Sequence, residues 1–182
     1  MRWVEISSLA ETIERNAGLP NGMLRALCAT ENGAAQHSGR SFSYAEFDPF
    51  ARRVEPEFYS RYVAGTHWEA TQWGKVPEVI AASYGLTQVM YTTAVWAKQK
   101  GLFVAAWDGT PWKLFDPLVN MTVGASVFAY KAKRYKSWAA GASAYNAGSP
   151  RTMASGIYEN QSYVDKIRDN LGGDWPRMNG VA

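Results

Sequence analysis

Apolar positions along the chain recur mainly at helical spacing and rarely alternate over strand-length runs, so the pattern predicts a mainly α protein. Ser8-Leu9-Ala10-Glu11 has the spacing of a capping box and predicts the start of a short helix that Gly18 closes, giving an N-terminal helical segment over 1–18. After the turn Leu19-Pro20-Asn21, the residues Met23, Leu24, Leu27 and Cys28 share one helical face, and Gly33 stops the helix behind Asn32. Glu31 is therefore expected at a helix C-terminal end, where the macrodipole disfavours its ionised form. Residues 33–54 mix Gly, Ser, Phe and charge without a period and read as loop, ended by Glu55-Pro56 and a helix through Tyr62. Gly85 and Gly101 bracket a predicted helix from about Thr87 to Lys100. Asp116-Pro117 supplies an N-cap and a first-turn proline for a helix running to about Tyr135. Ser137 opens a helix ending at Tyr145-Asn146-Ala147-Gly148, 161–170 form the last helix, and 171–182 read as a tail.

Composition narrows the picture. A chain of 182 residues, 47% hydrophobic, can bury one core and leaves little room for two, so one globular domain acting as a monomer is expected. Eight Trp and ten Tyr exceed the needs of such a core, and flat aromatic faces with polar tips suit stacking on sugar rings. The formal charge of +3 is too small to indicate a nucleic-acid partner. Arg52-Arg53 and the stretch Lys131 to Lys136 are the densest basic segments, and the second reads as a solvated helix face. Cys28 is the sole cysteine and sits in a pattern that buries it, which excludes an intrachain disulfide. With two histidines, no Cys/His spacing for zinc and no acidic calcium loop, no metal is implied, and no cofactor either. Nucleophile elbows and phosphate loops are absent from the sequence.

The chemistry concentrates in three separated segments: Glu31-Asn32-Gly33, Gly85-Leu86-Thr87-Gln88-Val89-Met90 and Ala144-Tyr145-Asn146-Ala147-Gly148. Breaking a glycosidic bond requires a proton on the leaving oxygen, and a carboxylic acid held neutral near neutral pH supplies it. Glu31 is the candidate.

These segments, in this order, resemble the lytic transglycosylases related to the soluble lytic transglycosylase and goose-type lysozyme, from about Leu19 to Ile167. The resemblance implies a lysozyme-like single domain that cleaves peptidoglycan glycan strands. It implies Glu31 as the catalytic acid, with Asn32 where Ser is usual. The segment 85–90 is similar to the family's Gly-Leu-Met-Gln-Ile-Met, with Thr87 for the first Met and Tyr91 where Pro is common. There the Gln88 amide and the Met90 backbone would bind the sugars beside the scissile bond. The Ala144–Gly148 segment matches the family motif unchanged, and its Tyr145 hydroxyl would orient the catalytic carboxyl, with Asn146 beside it at the substrate. Tyr163-Val164-Asp165-Lys166-Ile167 resembles the family's Tyr-Val-x-Lys-Val, whose tyrosine faces the cleft.

The separation of Glu31 from the Gly-Leu segment is longer than the family's, making 34–84 an insertion-bearing stretch. Within it, Phe47 to Tyr59 resembles a phage and prophage subgroup in which an Asp/Asn-Pro-x-Ala-x-Arg-x-Glu-Pro run closely follows the catalytic Glu. In that register Glu46 is the alternative catalytic residue. Inverting hydrolysis would add a second carboxylate, for which Asp48 and Glu55 are the candidates, whereas a transglycosylase uses one Glu as acid and then as base. A muramidase is thus the nearest alternative, and a non-catalytic wall-binding or particle-structural module the alternative of another class. Met1 to Ser8 lacks the apolar segment of a secretory signal and no stretch reaches membrane-span length. The expectation is synthesis in a host cytoplasm without a signal peptide, and action on the wall from the periplasm or from a virion.

Overall fold

The computed structural model describes residues 1–33, 47–104 and 106–178. The chain is mainly α, as expected, with a small antiparallel sheet that periodicity did not announce. It divides into two compact units: a helical unit of Met1–Phe47 and Ala125–Ala182, and a sheet unit of Asp48–Gly124.

The helical unit begins with α1 (Trp3–Ala17), which starts five residues before the predicted cap. At its start the Arg2 amide donates to Glu5 Oε2 at 2.6 Å, and Ser8 and Glu11 fall inside the helix. Ile6, Ala10, Ile13 and Glu14 are buried at helical spacing, and Gly18 closes the helix in the left-handed region (φ 69°). The buried Glu14 carboxylate reaches forward to cap α2 (Met23–Glu31), accepting from the amides of Gly22 at 3.0 Å and Leu24 at 2.8 Å. That satisfies orphan donors at the positive end of a helix dipole. Met23, Leu24, Leu27 and Cys28 are fully buried, as predicted, each of the larger ones contributing roughly 1.5–3 kcal/mol of apolar burial. Burial pushes the Cys28 thiol far up, with the negative charges of Glu31 and Glu14 adding to it, so this thiol is an inert core group.

The second half of α6 (Pro117–Tyr135) belongs to this unit, followed by α7 (Trp138–Ala147) and α8 (Gln161–Asn170). The Ser137 hydroxyl accepts from the Ala140 amide at 3.2 Å, the expected N-cap of α7. Gly141 lets α7 approach α6: a Cβ there would stand 2.7 Å from the Ala132 Cα. α8 packs on both α2 and α7, burying Val164 and Ile167.

The sheet unit carries β1 (Arg52–Val54), β2 (Ala82–Tyr84) and β3 (Val89–Met90) in that spatial order, both pairs antiparallel, with Arg53 opposite Ser83 and Ser83 opposite Met90. Strands of two and three residues are too short to give an alternating signature, which is why this region read as loop. α3 (Pro56–Tyr62) starts at the proline, as predicted, and α4 (Pro77–Ile80) precedes β2. α5 (Tyr91–Gln99) begins four residues later than expected, because Gly85 to Met90 is a hairpin connection and strand: Gly85 and Gln88 have positive φ (66° and 45°) and Val89 pairs with Tyr84. Asp116 caps the start of α6 as foreseen, its Oδ1 accepting from Leu118 N at 3.0 Å and Val119 N at 3.3 Å. Among the described residues no helix is long and apolar enough to cross a membrane.

Candidate active site

Glu31 is the last residue of α2 and is half-buried. The fully buried face of α2 fixes the helix, and Asn32 finishes it: its amide N–H and its Nδ2 both donate to the Cys28 carbonyl, at 3.0 and 2.9 Å. The departure from the family's serine at this position is thus a C-terminal cap that settles the turn of backbone carrying the carboxylate. Next to it, the Thr30 hydroxyl donates to Ala26 O at 2.8 Å and accepts from Asn170 Nδ2 at 2.9 Å, tying the end of α2 to the end of α8.

The Tyr163 hydroxyl donates to Glu31 Oε1 at 2.6 Å, across 132 residues of sequence. A hydroxyl donor this short holds the plane of the carboxyl group. Tyr163 was expected at the substrate. The structure joins its hydroxyl to the candidate acid. Tyr145 is half-buried on α7, its ring centroid 5.8 Å from that of Phe128. Asn146 is exposed, and its Oδ1 accepts from Asn160 Nδ2 at 2.9 Å.

The motif helix α7 ends at Gly148 (φ 83°), whose amide donates to Ala144 O at 2.8 Å. Lys131 Nζ reaches this end from α6, donating to the carbonyls of Ala144 at 2.6 Å and Gly148 at 3.2 Å. Lys131 is therefore a helix-end cap, while Lys133, Arg134 and Lys136 form the solvated face expected of the whole stretch. Burial pushes the Lys131 amine down to about 8, with Arg134 contributing to the shift.

In the sheet unit, the Gly85–Met90 segment is held by its own polar groups. The Gln88 amide accepts from Ser83 Oγ at 2.9 Å and donates to Gly85 O at 2.8 Å and Ala51 O at 3.2 Å. Gly85 has no room for a side chain, since a Cβ would lie 2.7 Å from the Leu114 carbonyl oxygen. Thr87, another departure from the family pattern, donates through its amide and its hydroxyl to Asn120 Oδ1, each at 2.8 Å, and Asn120 Nδ2 donates to Tyr84 O at 2.7 Å and Leu114 O at 3.0 Å. Sequence reasoning missed Asn120; its signal was a lone amide among the apolar residues Val119, Met121 and Val123. Met90 is half-buried at the end of β3. Asp48 is exposed with Oδ1 accepting from Phe50 N at 2.8 Å, and Glu55 stands at the N-cap of α3 without a capping side-chain bond. Glu46 lies outside the described residues.

A family model, Transglycosylase SLT domain, matches residues 52–166, more than half of the chain. The chain belongs to the transglycosylase SLT domain family. The match takes in the Gly85–Met90 and Ala144–Gly148 motifs and Tyr163, and begins downstream of Glu31. No curated protein and no solved structure matches the chain. The mainly α single domain is consistent with the lysozyme-like fold of SLT domains, and membership supports lytic transglycosylase activity on peptidoglycan in general.

Proposed function

We infer that this SLT domain cleaves the β-1,4 bond between N-acetylmuramic acid and N-acetylglucosamine, leaving 1,6-anhydro ends, with Glu31 as acid and then base. The observation that carries this reading is the 2.6 Å hydrogen bond from Tyr163, a residue inside the family match, to Glu31, a residue outside it. It couples the candidate acid to the family's own machinery.

In the first step the Glu31 carboxyl gives its proton to the glycosidic oxygen, the bond from that oxygen to the muramic C1 breaks, and the N-acetylglucosamine side leaves with a hydroxyl. The Tyr163 bond strengthens as Oε1 gains negative charge, which stabilises the carboxylate formed in this step. In the second step the C6 hydroxyl of the same muramic residue attacks C1, its proton returns to Glu31, and the anhydro ring closes with no water consumed. Tyr145 and Asn146 are proposed as sugar contacts at the end of α7. Gln88 and Met90 are proposed as further sugar contacts, the Gln88 amide oxygen keeping a second lone pair beside the one taken by Ser83. By the resemblance of the 47–59 run, the chain is proposed to be a phage endolysin or virion-associated wall enzyme.

Mass spectrometry of the muropeptides released from purified peptidoglycan tests this reading, because the two chemistries differ by the elements of one water. Anhydro ends that disappear with Glu31→Gln support it. Reducing ends would replace it with a muramidase and direct attention to Asp48 and Glu55, and an absence of products from the native chain would replace it with a non-catalytic wall-binding module.

A further inference from the structure

We propose that Asn160 is a positioning residue for the reaction, setting the Tyr163 hydroxyl on Glu31 by anchoring the first turn of α8 to α7. This rests on the reading of Glu31 as the catalytic acid. Asn160 stands at the N-cap of α8, the place where an asparagine side chain ordinarily turns back to cap its own helix. It does not do so here. Its Oδ1 accepts from the Ser143 hydroxyl at 2.7 Å, and its Nδ2 donates to Ser143 O at 3.1 Å and to Asn146 Oδ1 at 2.9 Å. Every polar atom of the side chain is thus given to α7, and the anchor residue Ser143 is fully buried, where a hydrogen bond is costly to break.

The main chain of the same residue faces the other way. Asn160 O accepts from the Tyr163 amide at 2.9 Å and from the Val164 amide at 3.3 Å, so the residue that grips α7 also fixes the backbone of the tyrosine. At the far end of α8, Asn170 grips Thr30, the neighbour of Glu31. The helix is therefore pinned to α7 at its start and to α2 at its end, and Tyr163 lies between the two pins, one turn from the first. Rotation of α8 by roughly ten degrees would carry a side chain at the helix surface through about 1 Å, enough to break a 2.6 Å contact and to lower turnover strongly.

The test is a kinetic cycle of Asn160→Ala and Tyr163→Phe, followed by release of muropeptides from purified walls, with melting temperature and wall binding measured for each variant. A residue that only held the fold would lower turnover by the same factor in both backgrounds. The proposal expects Asn160→Ala to lower kcat about tenfold, and to change it less than about twofold once Tyr163 has lost its hydroxyl. Ser143→Ala, which removes only the hydroxyl donor, should show the same dependence on Tyr163 at smaller size and serves if Asn160→Ala does not fold. Equal factors in the two backgrounds, or a folded Asn160→Ala with native kcat, would overturn the proposal. A Glu31→Gln variant that still releases muropeptides would instead overturn the reading beneath it.

Discussion

The helical unit and the sheet unit use polar side chains in opposite ways. In the helical unit polar groups tie α2, α7 and α8 together from distant sequence positions: Tyr163 on Glu31, Asn170 on Thr30, and Asn160 on Ser143 and Asn146. In the sheet unit the motif residues Gln88 and Thr87, fastened by Asn120 from outside the motif, bond to the neighbouring chain and hold a loop in shape. A family motif therefore says that a segment is needed and leaves open whether its polar groups work on the substrate or on the chain. The partner of each atom decides that.

Four substitutions would break or sharpen the contrast. Glu31→Gln, which keeps shape and hydrogen-bonding capacity but cannot shuttle a proton, should lower muropeptide release by about 10²–10⁴-fold with an unchanged melting temperature. A loss of stability of matching size would move Glu31 to the structural side of the comparison. Asn120→Ala strips the Thr87 amide and the Tyr84 and Leu114 carbonyls of a buried partner and should cost about 3–5 kcal/mol in urea unfolding. A cost under about 1 kcal/mol would mean that water replaces the amide.

Gly141→Ala drives a methyl group to 2.7 Å from Ala132 and should cost about 1–3 kcal/mol by overpacking, less the gain in helix propensity; a more stable variant would show that α6 and α7 can separate freely. The smallest effect concerns Lys131. Its folded value of about 8 lies below its ordinary 10.5, so between these pH values the unfolded chain holds more of this proton and stability rises with pH. Unfolding free energies at pH 7.5 and 10.5 should show an increment of about 1–2 kcal/mol that Lys131→Met abolishes. Identical pH slopes in the two proteins would sink the assignment.

The helical unit was largely legible in the sequence because its signals are local. The buried face of Met23, Leu24, Leu27 and Cys28, the caps at Ser137 and Asp116, the bounds of α8 and the placement of Glu31 at a helix end all follow from spacing within a turn or two. Where a long-range partner intervened, local reading failed. Lys131 leaves the solvated face for the carbonyls of α7. The sheet unit was less legible for the same reason. β1 is held to β2 by pairings across some thirty residues, and the positive φ of Gln88 delays α5 beyond what Gly85 alone suggested. The Tyr163 to Glu31 contact was foreseen only as membership of one groove, since no spacing encodes a bond between residues 132 apart.

Asn120 also bears on the order in which the chain assembles. Its amide joins the turn at Thr87 and the carbonyls at Tyr84 and Leu114, so the turn lies 33 positions along the chain from its fastener. Closing a loop of that length carries an entropy cost before any of these bonds can repay it, whereas α2, α7 and α8 gain from each turn they add. The Gly85–Met90 turn accordingly takes its final shape after the start of α6 has been carried back to it, and a slow step in refolding, if one is seen, belongs to that closure.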